Sequence, residues 1–289
     1  MFAGVPLNLF STNQSVCNNV VTGWWTVSSA VEQNKYGRSH NPLPHINKDN
    51  LIVSTLPPVN EWDIRDDAEF VHFCDNETAS GFEFNEFPYE GFGNQITVSD
   101  VSSNIGSKPI DWNKLDVAYA CAQKNVGVTG VTVLIAKRDV LESDPLPECP
   151  KMLSWKLSEH TSEHIVNTPD VAAVYMCNLQ LEHMLKMGGL DYFEKQAKLK
   201  TGKIYDLIDN SNGFYSNHVE GSYRSRLNVV FRINGGDADL ENKFIAEARE
   251  KGLYHMKGHF SMKGGIRLSI YNAMPMEGVD LIAEHMKDF

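Results

Sequence analysis

The sequence has no excess of positive charge, because 26 Lys and Arg stand against 37 Asp and Glu, for a formal net charge of −11. Nucleic acids and anionic membranes are bound through basic surfaces, so neither is an expected partner of this chain. No apolar run approaches the ~18 residues of a membrane span. The first residues also lack the basic segment that opens a secretory signal peptide.

Cysteine is scarce as well. The five cysteines are widely spaced and form no Cys-x-x-Cys pair, which argues against a disulfide framework and against a zinc site. The sequence therefore predicts a cytoplasmic protein without a bound metal. The cysteines are Cys17, Cys74, Cys121, Cys149 and Cys177.

The sequence does contain a series of short apolar segments separated by polar loops and helical stretches. With 289 residues, of which 42% are hydrophobic, the chain can bury one large core or two joined cores. Short strands alternating with crossovers are typical of an open, mainly parallel α/β sheet flanked by helices. We predict strands at residues 17–23, 51–53, 70–74, 95–100, 116–120 and 130–136.

The second part of the chain changes character after a proline-rich segment at residues 145–150. Apolar residues recur at helical spacing from Val171 to Leu185, so this stripe belongs to the core or to a subunit interface. We predict a large domain over residues 1–188, followed over residues 189–289 by a bridging helix and a small α+β domain. The latter contains predicted helices at 190–208, 238–251 and 275–289 and predicted strands at 226–233 and 265–270.

Four residues that can bind ligands follow predicted strands, namely Trp25, Thr78, Asp100 and Lys124. Ligands of open α/β sheets bind outside the carboxyl ends of the strands, so these residues are expected to share one site. Blander interpretations exist, since Lys124 could be a solvated loop residue and Trp25 could simply pack in the core.

Lys124 follows Asp100 by 24 residues, and small residues precede it. A pyridoxal phosphate enzyme needs such a pair, because the lysine forms a Schiff base while the acid keeps the pyridine nitrogen protonated. An apolar setting also favours a nucleophilic amine. The spacing of Asp100 and Lys124 is by itself a weak indication of a pyridoxal phosphate enzyme. The sequence motifs around the two residues strengthen it.

A series of short motifs runs along the chain. They are Val-Val-Thr-Gly-Trp-Trp at 20–25, Asn-Glu-Thr at 76–78, Ser-Ser-Asn at 102–104, Ala-Gln-Lys-Asn at 122–125, Asn-Thr-Pro at 167–169, Gly-His at 258–259 and Gly-Gly-Ile-Arg at 264–267. With these motifs in this order, the chain resembles over essentially all 289 residues the phosphoserine aminotransferases, a branch of the class V, fold-type I pyridoxal phosphate enzymes.

The resemblance implies a cofactor site for pyridoxal 5'-phosphate. Lys124 corresponds to the lysine that forms the Schiff base and shuttles the proton, and Asp100 to the partner of the pyridine nitrogen. Trp25 corresponds to the residue stacked on the ring, Thr78 to the one near its phenolic oxygen, and Gln123 to a phosphate contact. As an alternative, Asp100 could be a helix cap.

The resemblance also implies a homodimer with shared active sites, in which Asn167 and Thr168 reach the cofactor phosphate of the other chain. Arg267 corresponds to the residue that grips the substrate carboxylate, for which a planar guanidinium suits a bidentate contact. His259 corresponds to a contact of the substrate phosphate. A plain helix cap at Asn167 and a structural role for His259 remain open.

Three departures from the family pattern affect the site. The chain begins after an N-terminal segment that contributes phosphate and substrate contacts in the family, which suggests a truncated start. Phe260 stands where the family has an arginine after Gly-His, although nearby Lys263 could offer a positive charge. Tyr223 stands where the family usually has an asparagine.

The implied activity is transfer of an amino group between glutamate and 3-phosphohydroxypyruvate, giving phosphoserine and 2-oxoglutarate in serine biosynthesis. The departures leave an alternative, a truncated and catalytically impaired member that acts as a binding or interaction protein. Another class V activity, such as that of a lyase or a desulfurase, is disfavoured because no cysteine stands in a flexible loop suited to accept a group.

Overall fold

A six-stranded, mainly parallel sheet forms the larger part of the molecule. The computed structural model describes residues 1–47, 49 and 51–289. The strands follow the order β2-β1-β3-β6-β7-β8, and only the β7–β8 pair is antiparallel. This confirms the predicted fold class. The strands of this sheet are β1 (Val16–Asn19), β2 (Arg38–His40), β3 (Phe70–Cys74), β6 (Ile96–Asp100), β7 (Val117–Cys121) and β8 (Thr132–Ala136), and a separate hairpin pairs β4 (Asn76–Glu77) with β5 (Phe82–Glu83).

The centre of the sheet is buried on both faces. Every residue of β1 and β3 is buried, and so are four of the five residues in both β6 and β7. Parallel strands covered by helices on both faces read as nearly continuous apolar runs, which is the pattern of 70–74 and 116–120. The edge strand β8 is partly exposed and runs antiparallel to β7.

Eight α-helices surround the two sheets in the part of the chain that the structure describes. The chain enters the helix predicted at 171–185 through Asp170, whose carboxylate accepts the Ala173 N–H at 3.0 Å. None of the helices within the described ranges is long and apolar enough to cross a membrane. The helices are α1 (Gly4–Leu9), α2 (Trp24–Gln33), α3 (Arg138–Leu141), α4 (Trp155–His160), α5 (Val171–Lys186), α6 (Gly189–Asp209), α7 (Ala238–Glu250) and α8 (Met276–Asp288).

A three-stranded antiparallel sheet, in the order β11-β10-β9, forms a second core with α6, α7 and α8. Its strands are β9 (Tyr215–Ser216), β10 (Asn228–Ile233) and β11 (Ile266–Ser269). The inward residues of β10 and β11 alternate with outward ones, so Ile266 and Leu268 are buried while Arg267 and Ser269 face away from this core.

Three sequence expectations need correction. Residues 51–53 form no strand, although Leu51 and Val53 are buried and Val53 packs in the large core. The strand predicted at 17–23 ends at Asn19, because the following residues turn into α2. The cap of α5 is Asp170 rather than Asn167. Lys48 and Asn50, which precede residues 51–53, lie outside the described residues.

Candidate active site

A cavity of about 570 Å³ opens at the carboxyl ends of β3, β6 and β7. Four of the residues selected from the sequence line it, namely Trp25, Asp100, Gln123 and Lys124. Asp100 is the last residue of β6, and Lys124 follows β7 by one short turn. The topology therefore brings together residues that are distant in the sequence, at the edge where ligands of α/β sheets bind.

The turn that carries Lys124 is anchored on both sides. The Ala122 N–H donates to Val131 O at 3.1 Å. The Asn125 side-chain amide donates to Ser103 O and Ile105 O, at 3.1 Å each, and its oxygen accepts the Asn272 N–H at 3.0 Å. Held in this way, Lys124 is half-buried, and its Nζ lies 5.7 Å from the centroid of the Trp25 ring.

Asp100 is a buried carboxylate with an open side toward the cavity. One of its oxygens accepts the Ser102 N–H at 2.9 Å. Across the described ranges, no Lys, Arg or His forms a salt bridge with it. Burial and the charge of Asp100 together raise the pKa of Tyr119, its neighbour on β7, well above the ordinary value. The carboxylate is thus arranged to meet a proton donor or a cation from within the cavity.

Trp25 and Thr78 contact each other directly. The Trp25 indole N–H donates to the Thr78 hydroxyl oxygen at 2.7 Å, which holds the ring in one orientation. Trp25 lies in the first turn of α2, and Thr78 follows β4. Thr78 is therefore part of the Trp25 environment, although it does not itself line the cavity.

Residues that sequence reasoning did not select lie immediately behind these side chains. His72 bridges Tyr119 and Asn19, with Nε2 2.8 Å from the Tyr119 hydroxyl and Nδ1 2.7 Å from Asn19 Oδ1. Glu77 contacts the start of α2. Their sequence signal was weak, because a polar residue inside an apolar strand and one inside a polar loop are common in structural roles. Glu77 did lie within one of the family motifs.

The 258–267 segment places His259 against the other side of the tryptophan pair. Its ring centroid lies 6.0 Å from that of Trp24 and 6.4 Å from that of Trp25. Burial, and then the charge of Arg267, lower the pKa of His259. The Ser261 N–H donates to Nδ1 at 3.3 Å and the Ser261 hydroxyl oxygen lies 2.7 Å from the same atom, so Ser261 occupies Nδ1 and leaves Nε2 to face a ligand.

Arg267 and Phe260 complete this side. The Arg267 Nε atom is buried, and no described residue forms a hydrogen bond with it. Phe260 is 70% exposed, and its ring packs edge-on against Trp24 at 4.8 Å between centroids. The arrangement offers a guanidinium for an anion beside an aromatic surface.

Five of the selected residues are not among those that line the cavity, namely Thr78, Asn167, Thr168, His259 and Arg267. Asn167 and Thr168 are exposed at the approach to α5. Gln123 lines the cavity but is also largely exposed. Among the residues that the structure describes, no cluster of three or more His, Cys, Asp or Glu side chains could hold a metal ion.

Comparison with known proteins places this geometry among aminotransferases. Residues 42–282 match the family model described as aminotransferase class-V. The phosphoserine aminotransferase of Ralstonia pickettii (strain 12J) is 40% identical over 289 residues, which cover 99% of this chain and 74% of that protein.

Two solved structures share the fold. The phosphoserine aminotransferase from Bacillus circulans subsp. alkalophilus has a TM-score of 0.90 at 34% identity, covering 99% of this chain and 76% of that one. A phosphoserine aminotransferase from Trichomonas vaginalis with bound pyridoxal phosphate has a TM-score of 0.90 at 32% identity, covering 99% of this chain and 78% of that one.

Proposed function

Because the chain belongs to the phosphoserine aminotransferases, within the class-V aminotransferase family, we propose that it transfers an amino group between glutamate and 3-phosphohydroxypyruvate. The products are phosphoserine and 2-oxoglutarate, in serine biosynthesis. The observation that carries the proposal is the convergence of Lys124, Trp25 and Asp100 on one cavity at the carboxyl edge of the sheet.

The residues of the cavity fit pyridoxal 5'-phosphate. The cofactor supplies an aldehyde for an amine and a ring that withdraws electrons when its nitrogen is protonated. Lys124 offers the amine, and it is the one lysine among the described residues that line the cavity. Asp100 offers a buried carboxylate without a cationic partner, which suits a protonated ring nitrogen. The Trp25 ring offers an apolar face, with Thr78 beside it.

In this reaction Lys124 would have two roles, since its amine would hold the cofactor at rest and would carry the proton at the substrate α-carbon during transfer. The anchored Asn125 keeps the lysine near Trp25 throughout. Trp25 shields one side of the cavity from water, which strengthens the electrostatic influence of Asp100. Gln123 is assigned to the cofactor phosphate.

Substrate recognition is assigned to the 258–267 segment. The unpartnered Nε of Arg267 is a buried donor that an α-carboxylate would satisfy, and a buried polar group without a partner is otherwise costly. The Nε2 atom of His259 is available for the substrate phosphate. Both groups donate hydrogen bonds, which suits the carboxylate and the phosphate of phosphoserine.

A homodimer with shared sites is part of the proposal. The outer face of α5 exposes a row of apolar side chains, of which Leu185 is 74% exposed, while Ala173, Cys177 and Met184 face inward. An apolar stripe of this kind marks an interface on an otherwise acidic protein. Asn167 and Thr168 precede α5, so a second copy seated on this helix would bring them toward the partner's site. The row consists of Val171, Val174, Leu181 and Leu185.

We further propose that residues 1–188 and 189–289 are the large and small domains, since each of the two sheets has its own hydrophobic core. The cytoplasm is the proposed location, because all five cysteines are free.

The experiment that tests the proposal is a spectroscopic titration of the purified chain with pyridoxal phosphate. A visible absorption band of the lysine-bound cofactor is expected, and addition of phosphoserine should remove it. Lys124→Ala should abolish the band, whereas Lys195→Ala, at an exposed position on α6, should leave the band unchanged. A band that persists in Lys124→Ala would contradict the cofactor assignment. A band shifted by other amino acids but not by phosphoserine would contradict the substrate.

A further inference from the structure

We propose that Glu77 is a positioning residue for Trp25: its buried carboxylate grips the first turn of α2 and thereby sets the tryptophan ring against Lys124. The inference rests on the proposed function for the ligand that the ring meets. The grip itself is a property of the protein alone, so it can be tested without a cofactor.

Three donors from α2 converge on the Glu77 carboxylate. The Trp25 N–H lies 3.1 Å from one oxygen, and the Thr26 N–H and the Thr26 hydroxyl lie 2.9 Å and 2.7 Å from the other. The first amides of a helix have no partner within the helix, and the helix dipole favours a negative charge there. The carboxylate therefore acts as the cap of α2, although it belongs to β4.

The proton of the Thr26 hydroxyl is committed to Glu77. The hydroxyl oxygen accepts the Thr22 N–H at 3.0 Å and the Gly23 N–H at 3.1 Å. A hydroxyl has one proton and two acceptor positions, so its single proton is available for the carboxylate at 2.7 Å. Residues 22–26 and Glu77 thus form one connected unit.

The space around this unit is fully used. Glu77 is 0% exposed, and a Cβ added to Gly23 would come within 2.5 Å of its carboxyl carbon. Within the described ranges, Glu77 has no salt bridge to a basic side chain. Burial raises the pKa of Glu77, while the hydrogen bonds from Thr26 and Trp25 lower it. The α2 terminus is therefore the principal compensation for a costly buried acid.

The consequence reaches the reacting groups through Trp25. Glu77 holds its backbone, and the adjacent Thr78 accepts its indole N–H at 2.7 Å. Two consecutive residues thus determine both the position and the rotation of a ring whose centroid lies 5.7 Å from Lys124 Nζ. A ring released from this grip loses the preorganisation that makes stacking effective.

A double-mutant cycle on cofactor affinity separates positioning from a general structural role. In the parent chain, Glu77→Gln replaces an acceptor oxygen with an NH2 group, and the dissociation constant for pyridoxal phosphate should rise about tenfold. In a Trp25→Ala background, the same change should alter it by less than about twofold, because the residue through which it acts is gone. If Glu77 had a purely structural role, Glu77→Gln would lower the melting temperature in both backgrounds, and its effect on the dissociation constant would not depend on Trp25. An equal rise in both backgrounds, or no rise in a folded Glu77→Gln chain, would overturn the inference.

Glu69→Gln is the matched control, since Glu69 also accepts a backbone N–H and a hydroxyl, from Ser11 and Ser15 at 2.8 Å each, but just before the opposite end of β3. It should leave the cofactor affinity unchanged. Should Glu77→Gln fail to fold, Thr26→Val can take its place in the cycle, since it leaves the carboxylate intact and removes the hydroxyl donor together with the acceptor of the Thr22 and Gly23 N–H groups.

Hydrogen exchange of the cofactor-free chain provides an independent measurement. The Trp25 and Thr26 amides should exchange about tenfold faster in Glu77→Gln and at the parent rate in Glu69→Gln. Unchanged exchange of these two amides in a folded Glu77→Gln chain would contradict the proposal that Glu77 holds the first turn of α2. If the parent chain bound no pyridoxal phosphate, the proposed function would fail while this measurement still decided whether Glu77 holds α2.

Discussion

The Nζ atom of Lys124 lies 5.7 Å from the centroid of the Trp25 ring. The lysine follows β7, and the tryptophan lies in the first turn of α2, which follows β1, so two strands of the sheet, β3 and β6, separate the strands that precede the two residues. The contact exists because both residues leave the same edge of a parallel sheet. It also makes Trp25 the first residue whose loss should disturb the surroundings of the lysine.

Trp25→Ala should weaken binding of pyridoxal phosphate by about tenfold, because a stacking surface is lost. Trp25→Phe should retain most of the affinity. Equilibrium titration followed by visible absorption measures both. Trp112→Ala, which removes a half-exposed tryptophan outside the cavity, is the control and should bind as the parent does. Equal losses in the Trp25 and Trp112 variants would refute a specific role of the ring.

Asp100→Asn should slow each half-reaction by about ten- to a hundredfold, because a hydrogen bond to a charged group is replaced by a neutral one. The substitution keeps the side-chain oxygen that accepts the Ser102 N–H at 2.9 Å, so the fold should persist. Rapid mixing with phosphoserine and, separately, with glutamate measures both rates. A variant as fast as the parent would exclude the proposed partnership with the ring nitrogen.

Phe260→Arg should strengthen phosphoserine binding by about tenfold, since a guanidinium beside His259 can bond the phosphate. Phe260 is 70% exposed, so the longer polar side chain can be accommodated without disturbing a core. Phe260→Leu is the size-matched control and should not improve affinity. The half-reaction with glutamate, which has no phosphate, should be unchanged by either variant. Improvement with glutamate as well would point to a general effect on the site.

Leu185→Lys should raise the dimer dissociation constant by at least about tenfold, because an apolar contact is replaced by a charge that must be desolvated. Sedimentation at several protein concentrations measures the equilibrium. Leu199→Lys is the control, since Leu199 is another exposed leucine, at 50%, but lies on α6. If Asn167 and Thr168 serve the partner's site, the monomeric variant should also lose cofactor affinity. A Leu185→Lys chain that stays dimeric would place the interface elsewhere.

His72 should make the protein lose stability in acid. Burial, assisted by the nearby N-terminal ammonium, lowers the pKa of His72 from 6.5 to about 3. Between these two pH values the unfolded chain binds a proton at His72 that the folded chain does not. The free energy of unfolding therefore falls as the pH falls, by about 1.4 kcal/mol per pH unit. Urea unfolding between pH 6.5 and pH 4 measures the slope.

The comparison for this titration is between two substitutions. His72→Gln should remove the part of the pH dependence of stability that His72 contributes. It should also lower stability overall, because the side chain that bridges Asn19 and Tyr119 becomes shorter. His160→Gln, at an exposed position on α4, should keep the parent slope. Parallel pH profiles for all three chains would show that His72 does not titrate as described.

Much of the sheet could be predicted from local pattern. The apolar segments at 70–74 and 95–100 became β3 and β6, because continuous burial leaves a strand no other way to pair its backbone. The segment at 51–53 shows the limit, since Leu51 and Val53 are buried there without strand partners, while Ile52 is exposed. Pairing depends on which strand lies next to it, and local sequence does not contain that information.

Asp100, Lys124 and the sequence motifs around them were sufficient, by themselves, to indicate the family, the fold class and the chemistry expected of these two residues. These features are local, because a strand end and the residues after it are adjacent in the chain. The tertiary structure alone decided that Glu77 caps α2, that His72 bridges Tyr119 and Asn19, and that the apolar stripe of α5 faces outward. Each of these depends on contacts between elements far apart in sequence, and such contacts are determined by how the whole core packs.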